Sequence, residues 1–291
     1  MTHPLQKPVI KPLPASPHVR RDIWRAFDRA APHYEQDTAL QQASADWLLA
    51  EWRLDRPAVD EQVADGQTAD IPSPVWLDAG CGTGRLARPL AELGCRVWAV
   101  DRSPAMLATL PEAEGLIALE ADLAYVPMPA AMVDGVVSNF ALHWLGPSVL
   151  AELARVVRPG GWLYLALPVA GSLSAIQTRF PAVPIFGFQT AEVWLSAAKA
   201  LGLTLCRTQQ QVFQQDYAGL SDVLNALKRM GGAQTGAVES YPVRSPQLHQ
   251  PLSLHQWREY LNQPGPVALD YQVLLMVLQV GEETERPVWS R

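Results

Sequence analysis

Cysteine is scarce in this 291-residue chain: Cys81, Cys95 and Cys206 are the only three, with no metal-ligand spacing and no way for all of them to pair. That usage fits a reducing cytoplasm. Basic residues are outnumbered, 23 against 29 acidic, so a net charge of −6 argues against nucleic-acid binding by the overall field, while leaving local basic patches open. No apolar run reaches the length of a membrane helix; Leu274-Leu275-Met276-Val277-Leu278 is strand-sized. Internal repeats are missing too. The first 20 residues contain no acid, as in a transit peptide, but their five prolines oppose an amphipathic helix and favour a disordered tail over residues 1–18. Against these absences stand the proportions of an ordinary globular protein, 48% hydrophobic and 18% charged. The length allows one large domain, or one domain with an appended lid.

What is present centres on Val75-Trp76-Leu77-Asp78-Ala79-Gly80-Cys81-Gly82-Thr83-Gly84. An apolar run without a breaker reads as a strand buried on both faces. It ends in three glycines, a helical pattern through Leu86, Ala87, Leu90 and Leu93 begins at once, and a second apolar run stops at Asp101. Strand, glycine turn, helix, strand and an acid about 20 residues on outline a nucleotide-type site. Glycine lets the chain turn with positive φ and lets a ligand approach where a Cβ would stand. A carboxylate ending the second strand can accept both hydroxyl hydrogens of a ribose.

The pattern Asp-Ala-Gly-Cys-Gly-Thr-Gly resembles the first motif of the class I S-adenosyl-L-methionine (SAM) methyltransferases and not the Gly-x-Gly-x-x-Gly of dinucleotide enzymes. The resemblance implies SAM as cofactor and a Rossmann-like α/β fold, a seven-stranded, mostly parallel sheet with helices on both faces and a helical lid. It further implies that Asp78 and the backbone of Gly80 and Gly82 face the methionine moiety, that Asp101 holds the ribose, and that Cys81, Gly84 and Ala121 also belong to the cofactor site. Arg102 and Met106 would flank the adenine, with Asp122 and the Leu123 backbone at its exocyclic amine. Asn139, Phe140 and Ala141 would lie near the sulfonium. All of these fall at carboxyl ends of strands, where ligands of open α/β sheets sit; turn capping is the alternative for Asp122 and Asn139.

Periodicity alone places strands at 74–79, 96–101, 116–122, 133–139, 162–167, 203–213 and 267–280. Helices are expected at 84–93, from Ser103-Pro104 onward, and at 150–157, 190–201, 220–230 and 254–261. Two more lie between Val19 and Arg53, interrupted at Pro32. Pro159-Gly160-Gly161 is expected to separate a helix from the fifth strand. Residues 55–73 read as an exposed linker and 233–251 as a polar loop. The core is expected over about 71–170 plus 263–281, and the lid over about 19–54 and 170–262.

The flanks carry a narrower likeness. Phe27-Asp28-Arg29-Ala30-Ala31-Pro32-His33-Tyr34-Glu35, with Gln41 downstream and Leu269-Asp270-Tyr271-Gln272-Val273 near the end, resembles the BioC family, the malonyl-acyl-carrier-protein O-methyltransferases of biotin synthesis. The implied acceptor is the free carboxylate of a malonyl thioester, on acyl carrier protein or coenzyme A. No general base is needed for a carboxylate already ionised at neutral pH. Tyr34 is expected to hold a substrate oxygen, or else to pack beneath the first helix. His143, followed by Trp144, either hydrogen-bonds substrate or caps its loop, and is not expected to act as a base. Arg179 either pairs with the carboxylate or lies on the surface. Lys228 and Arg229 either dock the acidic carrier protein or form a solvated helix face. Rival readings are a methyltransferase acting on a free acid or a quinone, and a protein-arginine hydroxylase of the same fold.

Overall fold

The computed structural model describes residues 17–55, 73–183, 185–231 and 252–282, with the side chains of 17–23 left aside. The expected tail (1–18), linker (55–73) and polar loop (233–251) lie outside the described residues but for their edges. Among the described residues no helix is long and apolar enough to cross a membrane.

The elements follow in order. Helix α1 (Pro17–Ala30), a 3-10 segment (Ala31–Asp37) and α2 (Ala39–Leu54) precede β1 (Val75–Ala79), α3 (Ala87–Glu92), β2 (Arg96–Asp101), α4 (Pro104–Leu107), β3 (Leu116–Glu120) and β4 (Val133–Asn139). A short 3-10 turn (Leu142–Trp144) leads to α5 (Val149–Val156), β5 (Val157–Pro168), α6 (Ser174–Arg179), α7 (Ala191–Ala200), β6 (Thr204–Tyr217), α8 (Leu220–Arg229), α9 (Leu254–Leu261) and β7 (Val267–Gln279). One seven-stranded sheet runs in the order β3-β2-β1-β4-β5-β7-β6. The pairings from β3 across to β5 are parallel, and β7 runs antiparallel to both β5 and β6.

Both faces of this sheet are covered, so alternate residues of each central strand enter different cores. Along β7, Val273, Leu275 and Val277 pack into one core while Leu274, Met276 and Leu278 pack into the other. Trp76 of β1 is fully buried, its ring 5.5 Å from that of Trp52 on α2. Helix α2 is thus a layer of the core. The helix opened by Ser103 is a single turn, its hydroxyl accepting from the Met106 amide at 3.1 Å.

Two expectations are corrected. Strand β5 runs through Pro159-Gly160-Gly161, with a shift of register against β4 between Val133 and Gly135. A side chain at Gly161 would meet Asp134 O at 2.6 Å, so glycine permits the irregular pairing that the helix-breaking reading overlooked. The second correction concerns the lid: its expected range 170–262 contains β6, the edge strand of the sheet. Periodicity places a strand at 203–213, but its polar, exposed run Thr208-Gln209-Gln210-Gln211 carries no apolar face that would assign it to the sheet and not to the lid.

Candidate active site

Three chambers meet beyond the carboxyl ends of the parallel strands. One, of about 820 Å³, is walled by Asp101, Arg102, Met106, Ala121, Asp122, Leu123 and Ala141, with Trp24 and Phe27 of α1 above them. A second, of about 370 Å³, has Asp78, Gly80, Cys81, Thr83 and Arg85 in its wall. The third, of about 470 Å³, is mostly aromatic and apolar: Phe27, His143, Trp144, Phe186, Phe188 and Tyr271, with Leu173, Leu227 and Met230. Tyr34 and Phe140 belong to the walls of all three.

The first two chambers are made by the chain turning at strand ends. Gly80 takes φ +76°, and a Cβ there would overlap the Ala141 methyl, so the loop after β1 and the loop after β4 touch only because this residue has no side chain. Gly82 donates its amide to Asp101 Oδ2 at 3.0 Å, and Ser103 donates to Oδ1 at 2.8 Å. Burial nonetheless pushes the Asp101 carboxyl above its ordinary value, against the pull of those amides. Asp78, fully enclosed, accepts from the Ala87 amide at 3.0 Å, and burial raises its carboxyl to about 8. Asp122 pairs with Arg102 at 2.7 Å and accepts from the Ala124 amide, so it both caps a turn and walls the cavity.

The glycines do less by donation than the sequence suggested. The amides of Gly80 and Cys81 both point at Val100 O, at 2.8 and 3.0 Å, and that of Gly82 is spent on Asp101. Gly80 and Cys81 offer a ligand room in the wall of the second chamber, whereas Gly82 walls none of the three. Gly84 walls none of the three chambers; a side chain there would meet Leu110 at 2.5 Å, so its task is close packing of the turn. Asn139 is no turn cap: it donates to Gln41 O at 2.9 Å and accepts from Ser44 at 2.7 Å, tying β4 to α2.

The acceptor-side residues divide. Tyr34 is half-buried at the junction, and burial pushes its hydroxyl up to about 12, so it stays a donor at any working pH. His143 is buried against the rings of Phe186 and Phe188, at 5.8 and 5.6 Å, which drives its pKa down to about 3 and leaves it neutral. Trp144 lies at 4.8 Å from Phe186 and walls both the first and third chambers. Arg179 is elsewhere: its guanidinium donates to Pro264 O and Pro266 O, each at 2.6 Å, and stacks on Phe180. Pairing of Arg179 with a substrate carboxylate is therefore corrected, because the turn before β7 uses its donors. Arg229 binds Asp37 through two nitrogens, fastening the end of α8 to the 3-10 segment, while Lys228 beside it is exposed. Neither walls a chamber, although their neighbours Leu227 and Met230 do.

The sequence assigned no role in the site to Thr83, Arg85, Phe186 or Phe188. Arg85 directly follows the glycine turn, a position that could have drawn notice; Phe186 and Phe188 sit in a loop whose only signal is two aromatics around Gly187.

SAM would fit the first two chambers: the Gly80 turn leaves a cradle where a Cβ would stand, Asp101 ends β2 as a ribose-binding carboxylate does, and Met106 and Leu123 offer apolar walls for adenine. Residues 77–165 match the family model described as a methyltransferase domain. The chain is similar to malonyl-acyl-carrier-protein O-methyltransferases. The Enterobacter lignolyticus protein is 35% identical over 167 residues, 56% of this chain and 60% of that relative, so the match spans less than two thirds of its length. The Alcanivorax borkumensis protein is 32% identical over 220 residues, 72% of this chain and 70% of the relative. Among solved structures, a Bacillus halodurans protein described as a putative methyltransferase superposes with a TM-score of 0.50 at 15% identity, covering 77% of this chain and all of that one, a likeness of fold alone. With a methyltransferase core behind a family-like aromatic flank, this chain belongs to the malonyl-acyl-carrier-protein O-methyltransferase family.

Proposed function

We propose that the protein methylates the free carboxylate of a malonyl group carried as a thioester on acyl carrier protein, using SAM and leaving S-adenosyl-L-homocysteine. The ester would disguise malonate as an ordinary acyl starter for the chain elongation that leads to pimelate and biotin. One observation carries the reading beyond the family likeness: Tyr34 and Phe140 wall the cofactor-shaped chambers and the aromatic chamber alike, so an acceptor in the third would meet a donor in the other two.

The cofactor supplies an electrophilic methyl group on a sulfonium. What the chain supplies is position and dryness. The Tyr34 hydroxyl, protonated throughout the neutral range, donates to an acceptor oxygen at the junction. Phe140, Trp144, Phe186 and Phe188 exclude water from the path. His143, held neutral, contributes hydrogen-bonding capacity without a proton-transfer role. Among the described residues no lysine, arginine or carboxylate walls the aromatic chamber. An anionic acceptor would there find its counter-charge in the sulfonium, and both charges vanish on transfer; alignment does the rest.

Radiolabelled SAM offered with malonyl-carrier protein, malonyl-coenzyme A and free malonate tests the proposal. Base-labile label on the thioesters, with the carrier form preferred, is expected. Label confined to free acids would overturn it.

A further inference from the structure

The two edges of the sheet are guarded very differently. Strand β3, at one end, has five residues and closes on Glu120; short, charged edges are how proteins keep one sheet from pairing with another. Strand β6, at the other end, has 14 residues and no lysine, proline or glycine among them. Its only charges are Arg207 and Asp216, and Arg207 is spent on Glu51 and Asp55. From Arg207 to Tyr217 its register against β7 is unbroken. Among the described residues no strand meets its outer edge. The uncharged run from Thr208 to Gln215 therefore offers a long row of backbone donors and acceptors with none of the usual deterrents.

We infer that β6 is the interface of a homodimer, pairing antiparallel with β6 of a second copy about a twofold axis at Val212. The inference is independent of the proposed activity. A twofold axis perpendicular to a sheet keeps each face on its own side, so even-numbered residues oppose even-numbered ones and odd oppose odd. Thr208, Gln210, Val212, Gln214 and Asp216 share one face and are all exposed; Val212, 55% exposed, is the apolar one. With the axis there, Val212 meets its own counterpart, Gln210 meets Gln214, and the Thr208 hydroxyl meets the Asp216 carboxylate. On the other face, Gln215 Oε1 and the Tyr217 hydroxyl are buried without a hydrogen-bond partner among the described residues. In the same register they come opposite Gln209 and Arg207 of the second copy, both of which carry N–H donors. No like charges oppose one another. The strand is thus complementary to itself, which selects a second copy as its occupant, and an isologous contact of this kind closes at two subunits.

Sedimentation velocity on the full-length protein reads the association directly, and a dimer is expected at micromolar concentration. Val212→Asp and Val212→Lys alter an exposed side chain, so each is expected to keep the wild-type circular dichroism spectrum. Each sets like charges face to face at the axis and is expected to weaken the dimer roughly 10- to 100-fold. An equal mixture of the two variants is expected to dimerise again, because at the axis the new carboxylate meets the new ammonium. A wild type that stays monomeric, or variants that each dimerise as tightly as wild type, would overturn the interface. A mixture that stays monomeric would overturn the axis at Val212.

Discussion

All but three walls of the chamber around Asp101 and Met106 lie between Gly80 and Leu145, whereas the aromatic chamber draws on residues from Phe27 to Tyr271. The first is shaped by backbone: strands end, the chain reverses, and short-range hydrogen bonds such as Gly82 N to Asp101 fix the loops. The second is shaped by side chains from distant segments that meet only once the sheet has formed, as Phe140 and Tyr271 do edge-on at 5.0 Å. A backbone cradle tolerates few substitutions and keeps its ligand. An aromatic cage can be recut for another acceptor while the cradle stands, so the acceptor is where members of this fold can diverge.

Gly80 offers the harshest test of that contrast. Gly80→Ala forces a side chain into positive φ and into Ala141, and is expected to destabilise the fold by about 2–4 kcal/mol and to abolish measurable donor binding. Gly82→Ala, also at positive φ but with open space where the Cβ would stand, is expected to cost only about 1 kcal/mol. Equal melting temperatures for the two variants would refute a cradle defined by the contact of two loops. On the other side of the junction, Tyr34→Phe is expected to lower kcat about 10- to 100-fold with donor affinity unchanged. Should donor affinity fall in step with kcat, Tyr34 belongs to the cradle instead.

This division also explains what was legible beforehand. Strands β2 and β4 and helix α9 were readable to the residue because their signals are local: apolar runs closed by an acid or an amide, and Ser253 capping a helix with Gln256 in return. The acids and glycines of the cradle were readable for the same reason. Sequence gave no hint that the Gly80 and Gly82 amides turn inward, since that depends on where Val100 O and Asp101 end up. Sequence left Arg179 open between ligand and surface because a cation after a strand can face a ligand or a neighbouring turn, and only the fold brings Pro264 and Pro266 to it. Phe186 and Phe188 carry no periodic signal at all.

The two regions also answer pH with opposite sign. Asp78 titrates near 8 in the folded chain against 3.8 when exposed, so its contribution to stability is complete below pH 3.8 and is lost as pH rises toward 8. His143 titrates near 3 against 6.5, so its contribution is complete above pH 6.5 and is lost as pH falls toward 3. Without cofactor, the melting temperature of Asp78→Asn relative to wild type is expected to climb with pH between 4 and 8, and that of His143→Gln to decline between 3 and 6.5. Each slope is limited to about 1.4 kcal/mol per pH unit. Curves that run parallel to wild type would mean that neither group is as enclosed as the chambers require.

The smallest effect expected is outside both regions. Arg229 is held by Asp37, so of the two cations ending α8 only Lys228 presents its charge to a partner without first breaking an internal pair. Its neighbours Leu227 and Met230 wall the aromatic chamber, so Lys228 is an exposed charge close in sequence to that wall. A rim charge acts mainly on encounter, and its influence is screened by salt. Lys228→Glu is therefore expected to raise the KM for malonyl-carrier protein about 2- to 5-fold at low ionic strength, less at high, with kcat and the KM for malonyl-coenzyme A nearly unchanged. Arg229→Glu would lose the tie to Asp37 as well, shifting the 3-10 segment that carries Tyr34, and is expected to lower kcat with either thioester. A Lys228→Glu enzyme that discriminates against both substrates equally would assign α8 to the acceptor chamber and leave the carrier protein to dock elsewhere.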